Sequence, residues 1–258
     1  MDPTAFEQFD CSEKVALITG GSRGLGKAMA EGLGQAGAKL AVVARREKWL
    51  REAESDLSDQ GIPTIAQSAD ILNEERMKEV VDRVEEEWGS IDVLINNAGI
   101  TWGAPAMEMS MEKWRDVLEV NLTGTFIVTR LVAEGMLERG EGSIVNISSV
   151  GGLRGLDSTI QDAIGYNTSK GGLISFTRDL ATKWAEDGVR VNALVPGMFP
   201  TRMTEWMEGE VEEAFLDETP MGRAAELDEI KGPAVFLASD AASYITGQVL
   251  PVDGGTTL

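Results

Sequence analysis

The sequence predicts one α/β domain, a doubly wound parallel sheet with helices on both faces. Short runs of β-branched and small apolar residues, nearly uninterrupted, alternate with amphipathic stretches from end to end of the chain. Gly37, Gly61, Gly89, Gly140 and Gly188 each follow a helical stretch, where a C-terminal cap belongs. The glycine-rich and polar clusters fall just after predicted strands, where a sheet of this kind binds its ligands.

The elements follow in chain order. Val15–Thr19 is the first strand, and a glycine turn leads from it into the helical stretch Leu25–Gln35. Lys39–Ala44 precedes Glu47–Leu57, and Thr64–Ala69 precedes Asn73–Trp88. Val93–Asn97 is followed by one long helical stretch, Glu112–Glu138; Ser143–Ser149 is followed by Tyr166–Ala185. Arg190–Val195 and Gln248–Val252 supply the last two strands. Right-handed crossovers through the helices then cover both faces of the sheet. No low-complexity tract, long Pro/Ser linker or repeat divides the 258 residues, so 1–258 reads as a single domain.

Composition removes several chemistries. The chain has no histidine and one cysteine, Cys11. Histidine-based nucleophile activation, histidine or cysteine-rich metal sites and internal disulfides are therefore excluded, and no metal is expected. Cys11 reads as a spare thiol near a frayed end. Acid–base work falls to Tyr, Lys, Asp, Glu or Ser. With 43 acids against 23 bases the net charge is −20, a surface that repels nucleic acid and anionic lipid. We read the surplus as halophilic, an adaptation to high salt, with an ordinary acidic cytosolic protein as the alternative. No apolar run is long enough to span a membrane, and Met1–Asp10 lacks the charges of a secretory signal, so a cytoplasmic protein is expected.

The first strand ends in Thr19-Gly20-Gly21-Ser22-Arg23-Gly24-Leu25-Gly26. Glycines let a backbone turn sharply and approach a pyrophosphate, which rests on the N-terminus of the following helix. The spacing is Gly-x-x-x-Gly-x-Gly rather than Gly-x-Gly-x-x-Gly, in an otherwise Rossmann-like strand–turn–helix. The same residues match the Gly-x-Ser-x-Gly elbow of hydrolases, a match discarded because the chain has no histidine base. The second strand ends in Arg45 and Arg46, with no acid to hold a ribose 2′-hydroxyl. Guanidinium pairs bidentately with phosphate, so these residues and Arg23 favour NADP(H), with NAD(H) as the other coenzyme considered.

Tyr166 and Lys170 are four positions apart at the start of a helical stretch, on one face. A cation beside a phenol favours the phenolate and brings its pKa toward the working range. Ser149 closes the fifth strand, where a hydroxyl can hydrogen-bond a substrate carbonyl.

These motifs, taken in order, resemble the short-chain dehydrogenase/reductase family over nearly the whole chain. The matching pieces are Thr19–Gly26, Asp70-Ile71, Asn96-Asn97-Ala98-Gly99, Asn121, Ser149, Tyr166 with Lys170, Pro196-Gly197 with Thr201, and Asp253-Gly254-Gly255. The resemblance implies that Tyr166 is the general acid in carbonyl reduction and the base in alcohol oxidation. It implies that Lys170 lowers the tyrosine pKa and bonds the nicotinamide ribose, that Ser149 polarises the carbonyl, and that Asn121 holds a water in a proton relay. Gly20, Ser22, Arg23, Gly24, Leu25 and Gly26 would carry the pyrophosphate turn. Asp70 and Ile71 would contact the adenine, with Asn97, Ala98 and Gly99 along the ribose and Pro196, Gly197 and Thr201 at the carboxamide. Asn96 is expected to bond the sheet backbone, and Asp253-Gly254-Gly255 to form a structural turn and subunit contact.

The stretch between Ser149 and Tyr166 is longer than is common in the family, with extra residues in Leu153–Gly165. In the family this loop borders the substrate, and a lid is expected over about 198–222. Trp102, Leu156, Met198, Phe199, Met203 and Trp206 are the candidate substrate contacts; the Met and Trp residues equally suit packing of the lid onto the domain. The leading reading is an NADP(H)-dependent reductase of a 3-oxoacyl thioester or similar ketone, because Phe199–Thr204 and Pro220-Met221-Gly222-Arg223 look like oxoacyl reductases. The alternative is a polyol or sugar-acid dehydrogenase of the gluconate 5-dehydrogenase kind. A nucleotide-sensing regulator without turnover is the third. Apolar residues on more than one side of the two longest helical stretches (Leu122, Phe126, Leu131; Leu173, Phe176, Leu180) call for burial against further copies. The family is commonly tetrameric, so a homotetramer is expected, with a dimer as the alternative.

Overall fold

β-Branched side chains in unbroken runs favour strands buried on both faces, and seven such strands form one parallel sheet. The computed structural model describes residues 4–207 and 209–258, apart from the side chain of Trp206. The strands are β1 (Val15–Thr19), β2 (Lys39–Ala44), β3 (Thr64–Ser68), β4 (Val93–Asn96), β5 (Gly142–Ile147), β6 (Val189–Pro196) and β7 (Val249–Val252), in the order β3-β2-β1-β4-β5-β6-β7. Every neighbouring pair is parallel; Leu17, for example, lies opposite Ala41 on one side and Leu94 on the other. The chain order reverses between β1 and β4, which opens a crevice at the carboxyl edge of the sheet.

Alternation along each strand divides the core. Ile18, Leu40 and Val42 face Met29 and Leu33 of α1 (Gly24–Gln35), Leu50 and Leu57 of α2 (Glu47–Asp59) and Leu237 of α8 (Lys231–Ala238). Leu17, Ala41 and Val43 face the other layer. There Val80 of α3 (Glu74–Trp88), Val128 and Val132 of α5 (Thr125–Arg139) and Leu180 of α6 (Ile164–Trp184) pack together. Asn73 caps α3 by accepting from the Arg76 amide at 2.9 Å. Gly89 and Gly140 end α3 and α5 at φ of 90° and 74°, the left-handed turn only glycine adopts cheaply.

Four expectations change. The stretch read as one helix over Glu112–Glu138 is α4 (Met111–Leu118), a π-helical segment at Glu119–Gly124, then α5. The wider π turn has no amphipathic signature of its own, since apolar residues flank it on both sides. α7 (Glu210–Asp217) and α8 were not anticipated; both are only eight residues long, too short for a secure period. Asn96 bonds side chains rather than the sheet backbone. Its Nδ2 donates to Thr129 Oγ1 at 2.8 Å and to Asn146 Oδ1 at 2.9 Å, and Asn146 in turn donates to Thr177 Oγ1 at 2.9 Å. Cys11 is buried rather than frayed: its amide donates to the Ala36 carbonyl at 2.8 Å, and burial pushes its thiol up to about 11.

The Asp253 turn is structural, as expected, with the carboxylate accepting from the amides of Gly255 and Thr257 at 3.0 and 2.9 Å. No helix among the described residues is long and apolar enough to cross a membrane.

Candidate active site

The glycine turn sits where β1 meets α1, and its glycines are required by close approach. A Cβ on Gly26 would lie 2.4 Å from the Gly20 carbonyl oxygen, and Gly20 and Gly24 adopt φ of 64° and 53°. Arg23, at the N-cap of α1, makes no side-chain cap, and the first turn carries no acid. The helix therefore presents amide donors and its positive dipole end to the crevice. Asn97 braces this turn. Its Nδ2 donates to the carbonyls of Thr19 and Gly20 at 3.0 and 3.1 Å, so both N–H donors of its amide go to backbone.

A cleft of about 340 Å³ runs from this turn to the end of β5. It gathers Gly20, Ser22, Arg23, Gly24, Leu25, Gly26, Arg45, Arg46, Asp70, Ile71, Asn97, Ala98 and Gly99 with Ser149, Tyr166, Lys170, Pro196, Gly197 and Thr201. That donor set fits a dinucleotide: backbone amides at a helix end for the pyrophosphate, arginines beyond β2, and an apolar side chain, Ile71, beside Asp70.

At the inner end, α6 brings Tyr166 and Lys170 to the floor of the cleft. Lys170 Nζ lies 5.5 Å from the Tyr166 ring centroid and donates to the Ile147 carbonyl at 2.7 Å. The lysine is 4% exposed, and burial holds its ammonium down at about 8. Tyr166 departs from the expected direction. Burial pushes its phenol above the ordinary tyrosine range, and hydrogen bonding with the Ser149 hydroxyl draws it only part-way back. The reason is local: the ammonium is spent on the Ile147 carbonyl instead of the phenol oxygen.

Asn121 is fully buried in the π-helical segment. Its Oδ1 accepts from the Ile100 amide at 2.8 Å; its Nδ2 donates to the Ile100 carbonyl at 3.0 Å and to Ser169 Oγ at 2.9 Å. The side chain is thus a clasp between the loop after β4 and α6. A Cβ on Gly99 would meet Asn121 Oδ1 at 3.1 Å and Lys170 Nζ at 3.6 Å, which puts the amide and the ammonium around one small space.

A family model described as enoyl-(acyl carrier protein) reductase, one of the short-chain dehydrogenase/reductase models, matches residues 20–257. The chain belongs to the short-chain dehydrogenase/reductase family. It is an oxidoreductase acting on CH–OH and C=O groups. Among its relatives is the gluconate 5-dehydrogenase of Gluconobacter oxydans, 38% identical over 255 residues, covering 97% of each chain. A 3-oxoacyl-(acyl-carrier-protein) reductase of Vibrio cholerae is 39% identical over 242 residues, covering 94% of this chain and 96% of that one. The crystal structure of a gluconate 5-dehydrogenase from Burkholderia cenocepacia, in complex with NADP and tartrate, superposes with a TM-score of 0.93. It is 34% identical and covers 98% of this chain and 99% of that one.

In this short-chain dehydrogenase/reductase the candidate substrate contacts separate. Phe199 and Met203 line the cleft, Phe199 from the core side. Met198 does not; it is buried with Val150, Ile160, Met207 and Phe215, packing the segment after β6 onto the domain. Trp102 lies beneath Lys113 Nζ, 5.1 Å from its ring centroid, and Leu156 is half-buried away from the cleft. The Trp206 side chain lies outside the described residues. The Leu153–Gly165 stretch is tied down: the Ala104 amide donates to the Asp162 carbonyl at 2.7 Å, and Arg154 pairs with Glu218 at 2.5 Å. Among the cleft residues that escaped sequence reasoning are Trp49 and Arg202. Trp49 comes three positions after Arg46 in the first turn of α2, a spacing that brings the two together on one side of a helix and was the available signal.

Proposed function

We propose that this enzyme reduces a ketone to a secondary alcohol with NADP(H) as its coenzyme, Tyr166 being the proton donor. The observation that carries the reading is a buried phenol beside the buried Lys170 ammonium, with Ser149 lining the same cleft at its inner end. The coenzyme, when bound, supplies the hydride to the carbonyl carbon. The protein's part is proton chemistry. The Ser149 hydroxyl hydrogen-bonds the carbonyl oxygen and polarises it. Tyr166 transfers its phenolic proton to that oxygen as negative charge develops there, leaving a phenolate. Lys170, cationic below about 8 and 5.5 Å from the Tyr166 ring centroid, stabilises that phenolate through space. A phenol pushed up by burial keeps its proton at neutral pH, so the free enzyme is set for reduction; alcohol oxidation needs the phenolate and gains as pH rises.

Asn121 ties the Ile100 loop to Ser169 of α6, the residue before Lys170. Ser22, Arg23, Gly24 and Leu25 would hold the pyrophosphate, Asp70 and Ile71 the adenine, and Thr201 with Pro196 and Gly197 the nicotinamide amide. The preferred substrate class is a 3-oxoacyl thioester or a comparable ketone, supported by the similarity to 3-oxoacyl reductases and by the apolar Phe199 and Met203 at the cleft. A sugar-acid substrate is the second reading, favoured by the likeness over full length to gluconate 5-dehydrogenases. We also propose a homotetramer. Phe126 on α5 is 49% exposed and meets Phe176 of α6 edge-on at 6.3 Å, an apolar face that a second copy would cover.

Tyr166→Phe tests the mechanism. Turnover should fall by at least about a hundredfold, while NADPH binding followed by fluorescence stays near the parental value. A variant that reduces ketones at the parental rate overturns the assignment. Screening 3-oxoacyl esters, diketones and sugar acids with both coenzymes, at low and molar salt, separates the two substrate classes.

A further inference from the structure

The outer end of the cleft holds a feature that proton chemistry does not explain. Three guanidinium groups surround the indole of Trp49. Arg23 of the glycine turn lies 4.0 Å from the ring centroid, Arg46 at the start of α2 lies 4.6 Å away, and Arg202 from the segment after β6 lies 5.3 Å away. They come from three separate places in the chain, and all line the cleft. Like charges this close repel. Burial lowers the pKa of Arg23, and Arg202 and Arg46 lower it further, with Glu205 opposing. Among the described residues no carboxylate lies within 4 Å of any of the three, whereas Arg45 is paired with Asp70 at 3.5 Å. In a chain of net charge −20 such a gathering of cations needs an anion to relieve it.

Arg202 is also held in position. Thr204 Oγ1 donates to the Phe199 carbonyl at 2.7 Å and accepts from the Thr201 amide at 2.9 Å, closing the turn that carries Arg202. Thr201 packs where a Cβ on Gly24 would come within 3.5 Å, so this turn abuts the glycine turn across the cleft.

We infer that Arg202 determines coenzyme specificity: with Arg23 and Arg46, and with Trp49 as their platform, it binds the 2′-phosphate that distinguishes NADPH from NADH. The inference deepens the NADP(H) reading above and rests on it. Guanidinium groups donate to phosphate oxygens in a fixed fork, and stacking on an indole aims the fork in advance.

The test uses equilibrium binding and needs no turnover. Calorimetric titration with 2′,5′-ADP and with 5′-ADP is compared for the parent, Arg202→Gln, Arg202→Lys and Trp49→Leu. Arg202→Gln should weaken 2′,5′-ADP by about tenfold or more while leaving 5′-ADP unchanged, which also reports an intact fold. Arg202→Lys should recover part of the loss, and Trp49→Leu should weaken 2′,5′-ADP selectively. If the parent prefers 2′,5′-ADP and Arg202→Gln binds it as tightly, the role given to Arg202 is wrong and the NADP(H) reading stands. Equal loss of both nucleotides likewise overturns it, since that is a structural effect. A parent that binds the two nucleotides equally removes the NADP(H) reading and this inference together.

Discussion

Lys170 carries the least comfortable charge in the protein. It is buried, its one acceptor among the described residues is the Ile147 carbonyl, and its pKa is lowered from 10.5 to about 8. Between those values the unfolded chain holds a proton that the folded chain does not. Stability therefore rises with pH across that window, because ∂ΔG/∂pH follows the excess of protons bound by the unfolded state. Lys170→Met lacks this group, so the parent should gain on the variant by about 2 kcal/mol between pH 7 and pH 10 in paired denaturant titrations. A constant difference across that range would mean the lysine is solvated. Tyr166 has the opposite sign: its raised value makes the folded state keep a proton that the unfolded state has lost above 10. The two groups share a floor of the cleft, and each limits the pH range in which the other is useful.

Among elements, the glycine turn and the π-helical segment do the positioning. Gly26 lets α1 approach the Gly20 carbonyl, and Asn97 ties the turn to the loop after β4. Gly26→Ala places a methyl 2.4 Å from backbone oxygen, where no flexible side chain can yield. We expect a loss of about 3 kcal/mol or more in stability, read as a lowered denaturation midpoint, together with loss of dinucleotide affinity. An alanine variant with parental stability and affinity would show that the turn can shift without cost. The π-helical segment works differently. By inserting an extra residue in the turn between α4 and α5, it points Asn121 inward to clasp Ile100 and Ser169, which a continuous helix would aim elsewhere.

For the molecule as a whole, the charge is the dominant long-range property. A net −20 concentrates repulsion over the surface, while the cleft collects arginines that draw in an anionic coenzyme. Salt screens both effects, since the Debye length falls from about 10 Å at 0.1 M to about 3 Å at 1 M. The melting temperature should therefore rise as sodium chloride is taken toward molar concentrations, and the association rate of NADPH should fall over the same range. A melting temperature that falls instead would retire the halophilic reading of the composition.

Much of this was legible in the chain itself. Parallel strands buried on both faces leave unbroken apolar runs, so all seven strands were found within two residues of their ends. Tyr166 and Lys170 are neighbours by helical periodicity alone, and the glycine turn is local, so both were visible before any packing was known. What the packing decided are the non-local things. Whether Lys170 points to the phenol or to Ile147, whether Asn97 serves a ligand or the backbone, and which of the apolar residues after β6 face the cleft depend on partners far away in the chain. So does the meeting of Arg23, Arg46 and Arg202 on Trp49. No periodicity connects residue 49 to residue 202, and only the return of the chain across the sheet edge makes them neighbours.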